Sequence, residues 1–269
     1  MLKNTMSAIH TLVDNHDDVL TNHKESVDSW FLMGGPMPTV TIVVSYLYFV
    51  LKFGPQMMAS RKPYNLQPLL IAYNFILVLF SLFLSIWPIT GGMLAHVFRE
   101  GCQPTQRAQT ELSKTLNSYA WWYLMTKVIE LADTLFFVLR KKQQQITFLH
   151  VYHHSSLVFF SWCYLKFLPG EQGVVIGFLN SFVHVIMYSY YMVAAMGPKY
   201  QKYIWWKKYM TRIQLTQFVI MLVYLVSLVV RDCNLPRILS ILMGTNVFFF
   251  LCLFLNFYIK TYKSSRSKN

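Results

Sequence analysis

Seven stretches of about twenty residues run through this chain with little charge, at roughly 31–51, 66–89, 119–139, 147–168, 173–197, 212–230 and 236–259. A helix needs about 20 predominantly apolar residues to cross the ~30 Å hydrocarbon core of a bilayer. Each stretch is therefore predicted to be a membrane-spanning helix, and the chain to be an all-α, polytopic integral membrane protein. Gly34, Gly35, Pro36 and Pro38 interrupt the first stretch and blur its start. Composition agrees: 55% of the residues are hydrophobic and 13% charged, against roughly 25% charged in soluble domains. A single soluble core, disorder, a coiled coil and a disulfide scaffold are excluded. Aromatic residues, at 17%, suit belts at the two membrane interfaces. No internal repeat divides residues 1–269, which read as one domain. Residues 1–29 form a polar tail with Asp14, Asp17, Asp18, Glu25 and Asp28 and no leader pattern, and residues 260–269 form a basic one.

The net charge of +13 is distributed by topology. Lys52, Arg61 and Lys62 follow the first stretch, and Arg140, Lys141 and Lys142 the third. Lys199, Lys202, Lys207, Lys208 and Arg212 follow the fifth, and Lys260, Lys263, Arg266 and Lys268 the last. These fifteen cations share one face with no Asp or Glu, whereas the other face mixes eight cations with nine acids. Cytoplasmic loops carry the excess of Lys and Arg, so seven spans put the N-terminus in the lumen and the C-terminus in the cytosol. Topology accounts for most of this charge, and nucleic acid is not an expected partner. An acid-free cytosolic face also suits a polyanionic ligand such as a nucleotide-bearing thioester. Cys163 and Cys252 fall inside spans as packing residues, while Cys102 and Cys233 fall in luminal loops. An oxidising lumen favours a Cys102–Cys233 disulfide over two free thiols.

The polar residues inside the spans carry the chemistry, because a charge at mid-bilayer costs about 2.5–3.5 kcal/mol on insertion scales. The third stretch holds Lys127, Glu130, Asp133 and Thr134 on one helical face, with Lys127 and Glu130 spaced as an ion pair. The fourth opens with His150-Val151-Tyr152-His153-His154, three imidazoles pointing roughly one way from a helix. The fifth carries Asn180, His184, Met187, Tyr188, Tyr190 and Tyr191, a polar and aromatic stripe on a helix otherwise built from Phe, Val and Ile. The sixth opens with Thr211, Gln214 and Gln217. Four consecutive spans thus present polar groups to one interior, and a bundle around a common cavity is the simplest arrangement.

Imidazoles at this spacing serve either metal ligation or nucleophilic and general-base chemistry. Of eight histidines, His10, His16 and His23 sit in the first tail and His96 in a luminal loop, leaving four in the bundle. Three of those from one helical turn make an awkward tetrahedral site, so a metal is disfavoured. Cys163 lies ten residues past His153, about 15 Å along the axis, and is a poor nucleophile candidate. Histidine chemistry on an anionic, lipid-like substrate is the expectation. A histidine-box di-iron oxidase related to desaturases, and a non-enzymatic seven-span receptor or transporter, are the alternatives.

Taken together, Lys127-x-x-Glu130-x-x-Asp133-Thr134, His150-Val-Tyr-His153-His154, Asn180-x-x-x-His184-x-x-Met187-Tyr188-x-Tyr190-Tyr191 and Thr211-x-x-Gln214-x-x-Gln217 resemble, in order, the signature set of the very-long-chain fatty acid elongases. The resemblance implies about seven transmembrane helices around an acyl-chain tunnel and residence in the endoplasmic reticulum. It implies an acyltransferase, a 3-oxoacyl-CoA synthase, that condenses a long-chain acyl-CoA with malonyl-CoA to 3-oxoacyl-CoA, CO2 and CoA without metal or organic cofactor. The partners it implies are the 3-oxoacyl-CoA reductase, 3-hydroxyacyl-CoA dehydratase and enoyl-CoA reductase of the elongation cycle; homo-oligomerisation stays open. The tail lacks lysines at the third and fourth positions from its end, so it carries no dilysine retrieval signal. The expected roles are catalysis by His153 with His150, His154, His184 and Asn180, and support by Lys127, Glu130, Asp133, Tyr188 and Tyr191. Coenzyme A would be held by Gln214, Gln217, Lys199, Lys202, Lys207, Lys208 and Arg212.

Overall fold

A computed structural model of the protein describes residues 27–100, 111–167, 172–231 and 237–263. Among them all regular elements are helical. They are α1 (Pro36–Met58), α2 (Gln67–Thr90), a short α3 (Met93–Glu100), α4 (Glu111–Glu130), α5 (Ala132–Leu139), α6 (Phe148–Phe167), α7 (Gly173–Ala195), α8 (Lys207–Val230) and α9 (Arg237–Tyr258). Short 3-10 turns, Gln143–Gln145 and Pro198–Tyr203, lead into α6 and α8. The protein is an all-α, multi-pass membrane protein. Among the described residues five helices are both long and apolar enough to cross a bilayer: α1, α2, α7, α8 and Ser240–Tyr262. The pair α4–α5 and helix α6 have the length, but they hold the lysine, carboxylates and histidines that lower their apolarity.

The expected spans match these helices to within a few residues, with three differences. Helix α4 begins eight residues before 119, because its first turns are polar and lean on a Glu111–Lys114 ion pair of 2.9 Å. Helix α1 runs on to Met58 through a π-type stretch, Phe49–Phe53, directly before Gly54-Pro55. A wider backbone ring there accommodates the missing N–H of the proline. Gly54 admits α5, since a Cβ at that position would lie 2.7 Å from Val138 Cγ1. Third, the polar face of the third span straddles a break: Leu131 separates α4 from α5, its N–H bonding back three residues to Val128.

Helix α2 packs most extensively on α7, and α1 packs on α6. Contacts α4–α6, α6–α9, α9–α8, α8–α7 and α7–α4 close a ring of five helices. Residues 27–33 pack against α4 and α6: the indoles of Trp121 and Trp162 donate to the carbonyls of Phe31 and Leu32 at 3.0 and 2.9 Å. The Lys166 ammonium donates to the Met33 carbonyl at 2.8 Å and pairs with Asp28. Of the cysteines, Cys163 is buried and free, and Cys252 is free but exposed, facing outward from α9 rather than packing inward. Cys102 and Cys233 lie outside the described residues, as do most of the N-terminal tail and the last six residues.

Candidate active site

The five-helix ring frames a cavity with about 820 Å³ of empty space, part of it open to solvent. Among the described residues its walls come from α4, α6, α7, α8 and α9, while α1 packs on the outside of α6 and α2 on α7. His153, Tyr123, Asn180 and Gln217 line the part of it nearer the starts of α6 and α8. Toward the other end the lining is Phe160, Ile176, Met221, Leu225 and Val247, with Tyr119 and Tyr164. From His153 to Tyr164 the wall of α6 runs about 16 Å at 1.5 Å per residue. At that far end two glycines of α7 accept aromatic rings. A Cβ on Gly177 would lie 2.9 Å from the Tyr119 hydroxyl, and one on Gly173 would collide with the Tyr164 ring.

The four bundle histidines occupy different settings. His150 Nε2 shares a hydrogen bond of 2.9 Å with Thr134 Oγ1, which shares another of 2.8 Å with the Tyr46 hydroxyl from α1. His154 is buried, its ring 4.3 Å from that of His150 and 5.3 Å from that of His153. His153 packs on Phe250 at 5.0 Å and faces the cavity. Among the described residues, no hydrogen bond ends on its ring nitrogens. The three imidazoles of the box therefore do not share one direction. Adjacent residues on a helix are turned by 100°, and that step sends His153 into the cavity and His154 into its wall.

His184 belongs to a buried ion cluster. Lys127 Nζ donates to both Glu130 oxygens, at 2.9 and 3.0 Å, with both side chains at most 2% exposed. His184 Nδ1 lies 3.0 Å from Glu130 Oε1. The carboxylate only accepts, so Nδ1 carries the proton and donates. The approach of Lys127 Nζ to the same nitrogen, 3.4 Å, is then donor against donor, a contact rather than a bond. That tautomer leaves Nε2 to accept from Asn180 Nδ2 at 3.2 Å, and Asn180 Oδ1 accepts from the Tyr123 hydroxyl at 3.0 Å. Beyond the break, Asp133 Oδ2 accepts from Tyr188 at 2.9 Å, and Tyr191 packs edge-on against Tyr188 without reaching the acids. No group of three or more His, Cys, Asp or Glu among the described residues is arranged to hold a metal ion.

The model of the GNS1/SUR4 family, ELO, matches residues 31–269. The chain belongs to the ELO family. It is 41% identical to very long chain fatty acid elongase 7 of Rattus norvegicus over 92% of this chain and 88% of that one. It is 40% identical to very long chain fatty acid elongase 7 of Drosophila melanogaster, over 96% and 77%. With a very long chain fatty acid elongase of Aedes aegypti it shares 38% over 98% and 72%. The protein is thus an enzyme of fatty acid elongation, which decides against the receptor and transporter readings.

In this elongase the residues expected to hold coenzyme A separate. Lys199, Lys202, Lys207 and Arg212 are exposed and Lys208 half-buried at the end of the bundle where α7 finishes and α8 begins, and none of the five lines the cavity. Lys202 lies over the Tyr203 ring at 4.9 Å, and Arg212 Nε donates to the Tyr258 hydroxyl at 3.0 Å. Gln214 bonds Met187 Sδ at 3.6 Å, while Gln217 is buried, lines the cavity and bonds Met221 Sδ at 3.7 Å. Gln217 therefore lines the tunnel, not the exterior of the cationic mouth. The motif reading passed over Tyr46, Tyr123 and Asn246, the last of which lines the cavity and accepts from Tyr152 at 2.8 Å. Tyr123 stands four residues before Lys127, on the same helical face, and that spacing is the signal that could have found it.

Proposed function

We propose that this elongase condenses a long-chain acyl-CoA with malonyl-CoA, and that His153 carries the acyl group between the two. The observation behind this reading is that His153 alone among the four bundle histidines lines the cavity, with ring nitrogens that no hydrogen bond occupies. The unprotonated nitrogen attacks the thioester carbonyl, the C–S bond breaks, and the imidazole proton leaves with the thiolate as free CoA. The product is an N-acylimidazole whose alkyl chain extends into the apolar part of the cavity. Malonyl-CoA then loses CO2, and the electron pair of the broken C–C bond forms an enolate. The enolate carbon attacks the acyl carbon, the C–N bond breaks, and the imidazole takes a proton from solvent. One proton is consumed per 3-oxoacyl-CoA formed. Splitting the transfer into two steps is covalent catalysis, and exclusion of water by the apolar walls protects the acylimidazole from hydrolysis.

His150, held by Thr134, and His154 flank the nucleophile and move protons. Asn180, oriented by His184, offers an amide N–H to the developing negative oxygen. The step calls on no metal or organic cofactor. The cationic mouth suits the phosphates of coenzyme A, and by the positive-inside rule it opens to the cytosol, with the N-terminus luminal. Residence in the endoplasmic reticulum, beside the reductases and dehydratase that complete the cycle, belongs to the same reading. Incubation with acyl-CoA alone, followed by mass spectrometry of the intact and digested protein, tests it. An acyl adduct on His153 with stoichiometric CoA release is expected. Condensation without any adduct, or an unchanged rate in His153→Ala, overturns the covalent route.

A further inference from the structure

Five groups in the cluster close on themselves. Lys127 binds Glu130, Glu130 accepts from His184, His184 accepts from Asn180, and Asn180 accepts from Tyr123. The Tyr123 ring in turn lies 4.7 Å beneath the Lys127 ammonium, a cation–π contact. Only Tyr123 and Asn180 in this circuit also line the cavity, which they share with His153. An amide has one acceptor oxygen and two N–H donors. Tyr123 occupies the oxygen and His184 one N–H, so one N–H is left over. The two ends of the amide are nearly isosteric, and either contact alone would hold it less firmly than both together. We infer that Tyr123 is a positioning residue of the carbon–carbon bond-forming step: its hydroxyl fixes the Asn180 amide so that the remaining N–H meets the oxygen of the malonyl-derived enolate. The inference rests on the condensation reading above.

Tyr123→Phe removes the hydroxyl but keeps the ring, the cavity wall and the contact with Lys127. CoA release from acyl-CoA alone should stay within about twofold of the wild type. With malonyl-CoA, kcat should fall about tenfold and the KM values should not move. The loss is smaller than the ~100-fold expected of Asn180→Ala, because loss of a donor removes the whole stabilisation of a forming oxyanion. The double variant should be no slower than Asn180→Ala, since the hydroxyl acts only through the amide. A raised KM for acyl-CoA, equal losses in both steps, or losses that multiply in the double variant would overturn the inference and leave Tyr123 as part of the tunnel wall. Should Tyr123→Phe not fold, Tyr123→Leu enters the same cycle, because coupling to Asn180 is what decides. If the wild type condenses without releasing CoA first, the cycle on the complete reaction still decides the role of Tyr123. A wild type that condenses nothing refutes the function reading instead.

Discussion

Glu130→Gln tests whether the buried ion cluster holds the fold as well as the site. The carboxylate is 1% exposed and sits 2.9 and 3.0 Å from the ammonium of Lys127, which is 2% exposed. Neutralising it strands a buried charge, and breaking a buried pair from one side costs about 3–5 kcal/mol. Glutamine keeps one carbonyl oxygen, which with two lone pairs can accept from both Lys127 and His184 as Oε1 does now, so the lower value, about 3 kcal/mol, applies. At about 2–4 °C per kcal/mol for a chain approaching this size, the melting temperature should fall by about 6–12 °C. Removing the second charge as well, in Glu130→Gln/Lys127→Met, should recover most of that loss, because a buried pair is close to neutral against an apolar replacement. Thermal unfolding of the detergent-solubilised protein reads both numbers. Elongation activity should stay low in the double variant, since His184 has lost its carboxylate. Stability and catalysis would thereby separate. A single variant melting within 2 °C of the wild type, or a double variant as unstable as the single, would refute the claim that charge burial sets this energy.

Two further substitutions test the cavity and its mouth. Gly177→Ala places a methyl group 2.9 Å from the Tyr119 hydroxyl and pushes that ring into the far end of the tunnel. Products should shift to chains shorter by about one two-carbon cycle, read by chromatography of the acyl products, with the rate on the shortest accepted substrate preserved. Replacing Lys199, Lys202, Lys207, Lys208 and Arg212 together by Gln should raise KM for both CoA substrates and flatten the dependence of the rate on ionic strength, because surface charge acts through long-range attraction that salt screens.

The helices were legible because a bilayer sets how long an apolar run must be. That is why α2 and α7 begin and end within two residues of the expected limits. Hydropathy could not find the first turns of α4 or the break at Leu131, since both depend on polar or local backbone contacts that leave no apolar period. The polar residues worth examining were legible for the opposite reason: Lys127, Glu130 and His184 are too costly in a membrane to be incidental. What spacing did not yield was partnership. His150, His153 and His154 lie on one turn, yet Thr134 takes the first, the wall takes the second neighbour of the pair, and only His153 opens to the cavity. That division is decided by α4, α5 and α9, which are remote in sequence. Tyr123 escaped for a related reason. A tyrosine in a membrane helix is ordinary at the interface, and its meaning here comes from Asn180, fifty-seven residues away. On the proposed mechanism, the same logic favours the Lys127–Glu130 cluster over the Lys166–Asp28 pair as the place of chemistry. In both a buried lysine meets a carboxylate, although Asp28 is 36% exposed where Glu130 is 1%. Only the one with Lys127 and Glu130 passes its polarity, through His184 and Asn180, to atoms that face an empty volume.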